Sequence, residues 1–137
     1  MAIVVDTSLA LAVYDADDDL HAIAAAWLAS VDDELVTTPL TIAELDHHLG
    51  RLSRDALEAF YDDLDRGAWI VRWWADAMAE SVAIARRRPD VGLADASLVA
   101  LARRMRTDRI ATFDHHHFRT LTTDDGRPLV LLPTDSS

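Results

Sequence analysis

The chain has no cysteine and no lysine among its 137 residues. Without thiols it can form no disulfide, thiolate nucleophile, iron–sulfur cluster or cysteine-ligated zinc site, a usage that suits a reducing compartment. Without lysine, Walker-type phosphate loops, Schiff-base chemistry and phosphotransfer sites that rely on an ammonium are excluded. No apolar run approaches the ~20 residues of a membrane span. The opening Met1-Ala2-Ile3-Val4-Val5-Asp6 lacks a basic region followed by a long apolar one, so the sequence reads as cytoplasmic with no membrane association. An apolar content of 50% supports one compact core, and the expectation is a single domain over residues 1–137, with 133–137 a short, frayed tail.

Charge is abundant and uneven. The formal net charge is -11. Residues 1–85 hold 4 Arg and 17 acids, whereas residues 86–119 hold 8 Arg and 4 acids, so an acidic chain conceals a basic stretch. Overall acidity opposes loose adsorption to nucleic acid, yet a local arginine surface can steer phosphates to one place.

Ile3-Val4-Val5, Leu35-Val36-Thr37-Thr38, Trp69-Ile70-Val71, Arg109-Ile110-Ala111-Thr112 and Leu129-Val130-Leu131-Leu132 read as strands. Between them lie helical segments. Leu20, Ile23, Ala24, Trp27 and Leu28 share one helical face, with Asp17, Asp18 and Asp19 as candidate caps. Pro39 opens a helix that Gly50 closes, Ser53 caps another to about Arg66, a fourth starts at Ala75, and a fifth runs from Leu93 to the Arg103–Arg106 cluster. Strands alternating with helices predict an α/β fold, a mostly parallel sheet of four to five strands covered on both faces.

In open parallel sheets, sites form beyond the carboxyl ends of strands. Asp6 follows the first strand, Asp114 follows the fourth by one residue, Glu44 lies one turn into the helix after the second, and Asp95 sits near the start of the helix that begins at Leu93. Each has an ordinary alternative. Asp6 can cap a helix, Thr41-Ile42-Ala43-Glu44 fits a capping box, Asp95 can stabilise a helix start, and Asp114 can begin a turn. Four carboxylates converging would repel one another and raise their own pKa values unless a cation neutralised them, and oxygen-only ligands suit Mg²⁺ or Mn²⁺. Thr7, Ser8 and Thr112 are placed to hydrogen-bond a carboxylate, a water or a phosphate.

Val5-Asp6-Thr7-Ser8, Thr41-Ile42-Ala43-Glu44-Leu45, Gly92-Leu93-Ala94-Asp95-Ala96 and Ala111-Thr112-Phe113-Asp114 followed by Phe118 resemble, in order and over nearly the whole chain, the four acidic motifs of PIN domains. More narrowly they resemble the VapC-type toxins of bacterial toxin–antitoxin pairs. The resemblance implies a three-layer sandwich and a metal-dependent endoribonuclease, usually a homodimer, silenced by a VapB-like antitoxin. Asp6, Glu44, Asp95 and Asp114 would then be the catalytic, metal-binding acids. Many relatives carry a further acid just after the fourth motif, where this chain has His115-His116-His117. Those histidines are read as a surface loop, because three consecutive side chains cannot all face one ion without distortion, and His47-His48 as structural or interfacial.

RNA is the expected substrate, with Arg86, Arg87 and Arg88 the candidate contacts. Trp27, Trp69, Trp73 and Trp74 are read as core or interface rather than as base-stacking rings. Two other classes compete. A dehalogenase-like phosphatase would use Asp6 as nucleophile but wants a second Asp two positions on, where Ser8 stands. A catalytically silent PIN-like module would bind RNA or protein only, and has no reason to keep all four acids.

Overall fold

Short apolar runs alternate with helices throughout the computed structural model, which describes residues 1–135. In chain order the elements are β1 (Ile3–Val5), α1 (Thr7–Tyr14), α2 (His21–Ser30), β2 (Leu35–Thr37), α3 (Pro39–Leu52), α4 (Arg54–Asp65), β3 (Ile70–Val71), α5 (Ala77–Arg87), α6 (Leu93–Arg104), β4 (Arg109–Ala111), α7 (His115–Phe118) and β5 (Val130–Leu132). The five strands form one parallel sheet in the order β3-β2-β1-β4-β5. This is the expected α/β architecture at the upper end of the expected strand number.

Successive strand residues point to opposite faces, so each face builds its own core. Val4, Val36, Ile110 and Leu131 face α5 and α6, packing with Leu98, Val99, Leu101 and Phe118. Ile3, Val5, Leu35 and Ala111 face the opposite way, packing with Leu9, Leu45, Leu49 and Phe60. Leu98 and Phe60 are completely buried, and truncating a side chain so placed to alanine costs about 2–5 kcal/mol.

From β1 the chain builds outward through β2 to β3, then crosses back to add β4 and β5 on the other side. The reversal falls between β1 and β4. Connections leaving these two strands diverge, which opens a crevice above their carboxyl ends. Val4 pairs with Ile110 and Val5 with Ala111, bringing the residues that follow each strand to the two sides of that crevice.

Several boundaries differ from the sequence reading, each for a local reason. Thr38 leaves β2 to cap α3, its hydroxyl accepting from Thr41 N at 3.5 Å, so the capping box expected at Thr41–Glu44 does not form. Gly50 does not end α3. That helix runs on to Leu52, and Ser53 both closes it and caps α4 through Ala56 N. Asp17, Asp18 and Asp19 precede α2 without capping it, since α2 starts after Leu20 with no side-chain cap, and Asp18 instead holds a turn by accepting from Leu20 N at 2.8 Å. Trp69 precedes β3 as a buried side chain whose Nε1 donates to the Tyr14 hydroxyl at 2.7 Å. In the segment expected to fray, the Asp135 carboxylate accepts from Leu131 N at 2.8 Å and from Arg119 at 2.6 Å. The last two residues of that tail, 136 and 137, lie outside the described residues.

Candidate active site

Asp6 is set by the end of β1 and the start of α1, only 3% exposed. A carboxylate this buried needs donors, and two hydroxyls supply them. Ser8 Oγ and Thr112 Oγ1 both donate to Asp6 Oδ2, at 2.7 and 2.8 Å. The same two oxygens accept from the next strand's turn, Ser8 Oγ from Phe113 N at 3.0 Å and Thr112 Oγ1 from Asp114 N at 2.9 Å. Ser8 and Thr112 thus lock the β1 and β4 turns together around Asp6. Burial nevertheless pushes the Asp6 carboxyl above the usual range, against the pull of these hydrogen bonds.

Thr7, the first residue of α1, donates its hydroxyl to Glu44 Oε1 at 2.7 Å, tying the α3 acid to the Asp6 turn. The register of α3 against α6 is fixed one layer below by a buried contact of 2.8 Å between Thr38 Oγ1 and Ser97 Oγ. Asp95, in the first turn of α6, completes the group from the far side. Asp6, Glu44, Asp95 and Asp114 all line one cleft of about 470 Å³, together with Thr7, Ser8, His48 and His117.

Burial, then the charges of Asp6 and Asp114, hold the Asp95 carboxyl high, at about 6, while His117 opposes the rise. His117 is the side chain that pairs with the acids of this corner. Its Nδ1 lies 2.9 Å from Asp95 Oδ2 and 2.9 Å from Asp114 Oδ2, and the contact with Asp95, reinforced by the surrounding acids, raises its own pKa. One ligand atom from each of Asp95, Asp114 and His117 falls within a 4.8 Å cluster, a grouping able to hold a metal ion. Asp6 and Glu44 face the same cleft without joining that tighter group.

The structure thus brings the four expected acids into one cleft and adds two histidines to its lining that the sequence reading placed elsewhere. The expected surface loop at 115–117 is the helix α7, capped by Asp114, and its third residue turns back into the cleft. The signal was present: a helix entered at Asp114 puts residue 117 on the same face as the acid. His48, expected to be structural, stands one turn after Glu44 on α3 and lines the cleft beside it. The arginines lie elsewhere. Arg86 and Arg87 are exposed at the end of α5 with no hydrogen bond or ion pair among the described residues, whereas Arg88 is held by Asp90 at 2.9 Å and by the Thr120 carbonyl at 3.1 Å. None of the three lines the acidic cleft.

A buried acid at one strand end and a part-exposed one at the adjoining strand end, facing acids on two helices, define a class, and the PIN domain profile matches residues 3–122. The chain belongs to the PIN domain family. Ribonuclease VapC26 of Mycobacterium tuberculosis is 35% identical to it over 134 residues, covering 95% of this chain and 99% of that relative. Among solved structures, Mycobacterium tuberculosis VapC20, described as a sarcin-ricin loop cleaving toxin, superposes with a TM-score of 0.76 at 23% identity, over 82% of this chain and 90% of that one. VapBC2 from Rickettsia felis, bound to a DNA fragment from its promoter, does so at 0.67 and 14% identity, over 96% and 97%. These structures share the fold.

Proposed function

We propose that this protein is a divalent-metal-dependent endoribonuclease and the toxin of a toxin–antitoxin pair. One observation carries the reading: four acids distant in sequence meet in a single cleft at the sheet's switch point, two of them with raised pKa values. Uncompensated carboxylates of this kind invite a cation. The four carboxylates are oxygen donors of the kind that fits Mg²⁺ or Mn²⁺, with the His117 imidazole beside them as a partner of Asp95 and Asp114. Membership of the PIN family and likeness to a VapC ribonuclease support the same conclusion.

In this reading Asp6, Glu44, Asp95 and Asp114 would hold the ion, which when bound would supply positive charge against the phosphodiester transition state and lower the pKa of a water. The chain's own groups do the positioning. Ser8 and Thr112 fix the rotamer of Asp6 by bonding one of its oxygens, leaving the rest of the carboxylate to serve the cleft. Thr7 orients Glu44 in the same manner. His117 holds Asp95 and Asp114 together and limits their repulsion when the cleft is empty of cations. No nucleophile from the protein is required. A phosphatase using Asp6 as nucleophile is disfavoured, since the hydroxyl of Ser8 occupies the place where a proton-transferring acid would be needed.

Arg86, Arg87 and Arg88 are proposed to attract RNA, with Arg88 the weakest candidate because its guanidinium is already engaged. A VapB-like antitoxin, a homodimeric state and a cytoplasmic setting belong to the same proposal. No described helix is long and apolar enough to cross a membrane. The deciding experiment is cleavage of end-labelled RNA by the wild type, with Mg²⁺ and with EDTA, beside Asp6→Asn and Asp95→Asn. Cleavage only by the wild type with metal is expected, and full activity in either variant would refute the assignment.

A further inference from the structure

Helices α5 and α6 are joined by residues 88–92 alone and so form an antiparallel hairpin on the face of the sheet. Between them runs a groove of about 620 Å³, distinct from the acidic cleft. Five of its lining residues are arginines, Arg87 and Arg88 toward the hairpin turn and Arg103, Arg104 and Arg106 at the other end. Its two acids are engaged, Glu80 accepting from Trp74 Nε1 at 3.1 Å and Asp124 lying 3.5 Å from Arg103. Arg103 also donates to the Thr122 carbonyl at 3.0 Å. The side chains of Arg87 and Arg106 have no hydrogen bond or ion pair among the described residues, and the Arg104 guanidinium lies over the Trp74 ring, 5.5 Å from its centroid. A chain of net charge -11 thus concentrates unspent positive charge in one groove.

Arg106 adds an independent observation. It closes α6 in a Schellman turn, with Arg106 N donating to the Arg103 carbonyl at 3.2 Å and Thr107 N to the Ala102 carbonyl at 3.0 Å. Its φ of 55° is left-handed, the conformation for which glycine is the favoured residue. An arginine there strains the backbone, and its side chain makes no hydrogen bond or ion pair among the described residues while it borders the groove.

We infer that the α5–α6 groove binds the sugar–phosphate backbone of RNA away from the scissile bond, an inference that rests on the ribonuclease reading above. Guanidinium groups match phosphate oxygens in pairs. Trp73, 40% exposed, lies outside the groove lining but 5.8 Å from the Trp74 ring that carries Arg104, and offers a base a stacking face near that end. An acidic peptide would satisfy the arginines but leave that aromatic surface without a use. The groove also leads to the site. Its Arg87 end adjoins the turn into Gly92 and Leu93, which line the acidic cleft, while Arg103 stands about 12 Å further along α6 than Asp95 at 1.5 Å per residue. RNA lying there approaches the carboxylates with part of its charge already neutralised.

The test compares Arg103→Gln/Arg104→Gln/Arg106→Gly with Arg106→Gly alone, and with Arg54→Gln as a control whose charge lies on α4, paired with Glu58. RNA binding is read by fluorescence anisotropy in EDTA across a salt series, and cleavage is read in Mg²⁺ on a long single strand and on an oligonucleotide spanning only the cleft. The slope of log Kd against log salt should fall by about 0.7 per lost contact, so by about 2 in the triple variant, and stay unchanged in the control. Arg106→Gly should lose its share of slope with a melting temperature equal to or above that of the wild type. The variants should cleave the long strand less well and the short one normally. Wild-type slope and affinity in both groove variants would overturn the inference, as would absence of RNA binding by the wild type. A wild type that binds RNA through these arginines but cleaves neither substrate would instead refute the ribonuclease reading and leave the groove standing.

Discussion

Replacing Asp95 with asparagine should stabilise the metal-free protein. The carboxyl titrates at about 6 in the fold against an ordinary 3.8, because burial and the charges of Asp6 and Asp114 disfavour its ionised form. An acid with a raised folded pKa binds its proton more tightly in the native state, so native stability falls as pH climbs from 3.8 through 6 and then levels off. At about 1.4 kcal/mol per pH unit, the ionised carboxylate costs up to about 3 kcal/mol at pH 7.5. The Asp95 side chain is only 17% exposed, so solvent removes little of this. Asparagine keeps the shape and a polar contact for His117 without the charge. Urea unfolding in EDTA should therefore place Asp95→Asn about 1–3 kcal/mol above the wild type at pH 7.5, with the gap closing near pH 4. Adding divalent ion at a hundredfold its Kd should raise the wild type by about 2.7 kcal/mol and the variant far less, which shrinks or reverses the order. A variant less stable than the wild type in EDTA at pH 7.5, with the same difference at pH 4, would show that electrostatic crowding at Asp95 is not as described.

Thr112→Val removes a buried hydroxyl that donates to Asp6 and accepts from Asp114 N; thermal unfolding should show a loss of about 1–3 kcal/mol, with cleavage falling as Asp6 loses its fixed orientation. Thr38→Ala deletes the α3 cap and the contact with Ser97, which should cost about 0.5–2 kcal/mol in urea while cleavage well below the unfolding midpoint persists. Pairing with Arg119 holds the Asp135 carboxyl at about 2, so its stabilisation is present above pH 3.8 and disappears as pH falls through 2. Since Arg119 is 44% exposed, solvent limits the pair to under about 1 kcal/mol, and Asp135→Asn should flatten the acid limb of the stability curve by no more than that.

The sheet and its order of alternation were legible because β-branched runs and helical periods have different repeats. Asp6 and Asp114 were legible as strand-end acids, and the paired register of Val5 with Ala111 is what makes them neighbours. The helix ends were less so. Gly50 sits within α3 because its exposed position leaves the turn free to continue, and among the described residues the only side-chain atom near its missing Cβ is Leu57 Cδ2, at 4.0 Å. The spacing of His117 from Asp114 was legible once α7 is taken as a helix, but its meeting with Asp95 was not, because that contact depends on how α7 packs against α6. Likewise the basic stretch was visible as composition, but the grouping of Arg87 with Arg103, Arg104 and Arg106 appears only when α5 folds back on α6.

The most direct test of the central claim is Mn²⁺ titration by calorimetry on the wild type, Asp6→Asn and Asp95→Asn, run beside RNA cleavage with the same samples. The account predicts that the wild type binds Mn²⁺ and cleaves only when loaded, and that each substitution removes cleavage along with most of the binding. Cleavage that persists in EDTA, or variants that bind Mn²⁺ as the wild type does and still cut RNA, would contradict it.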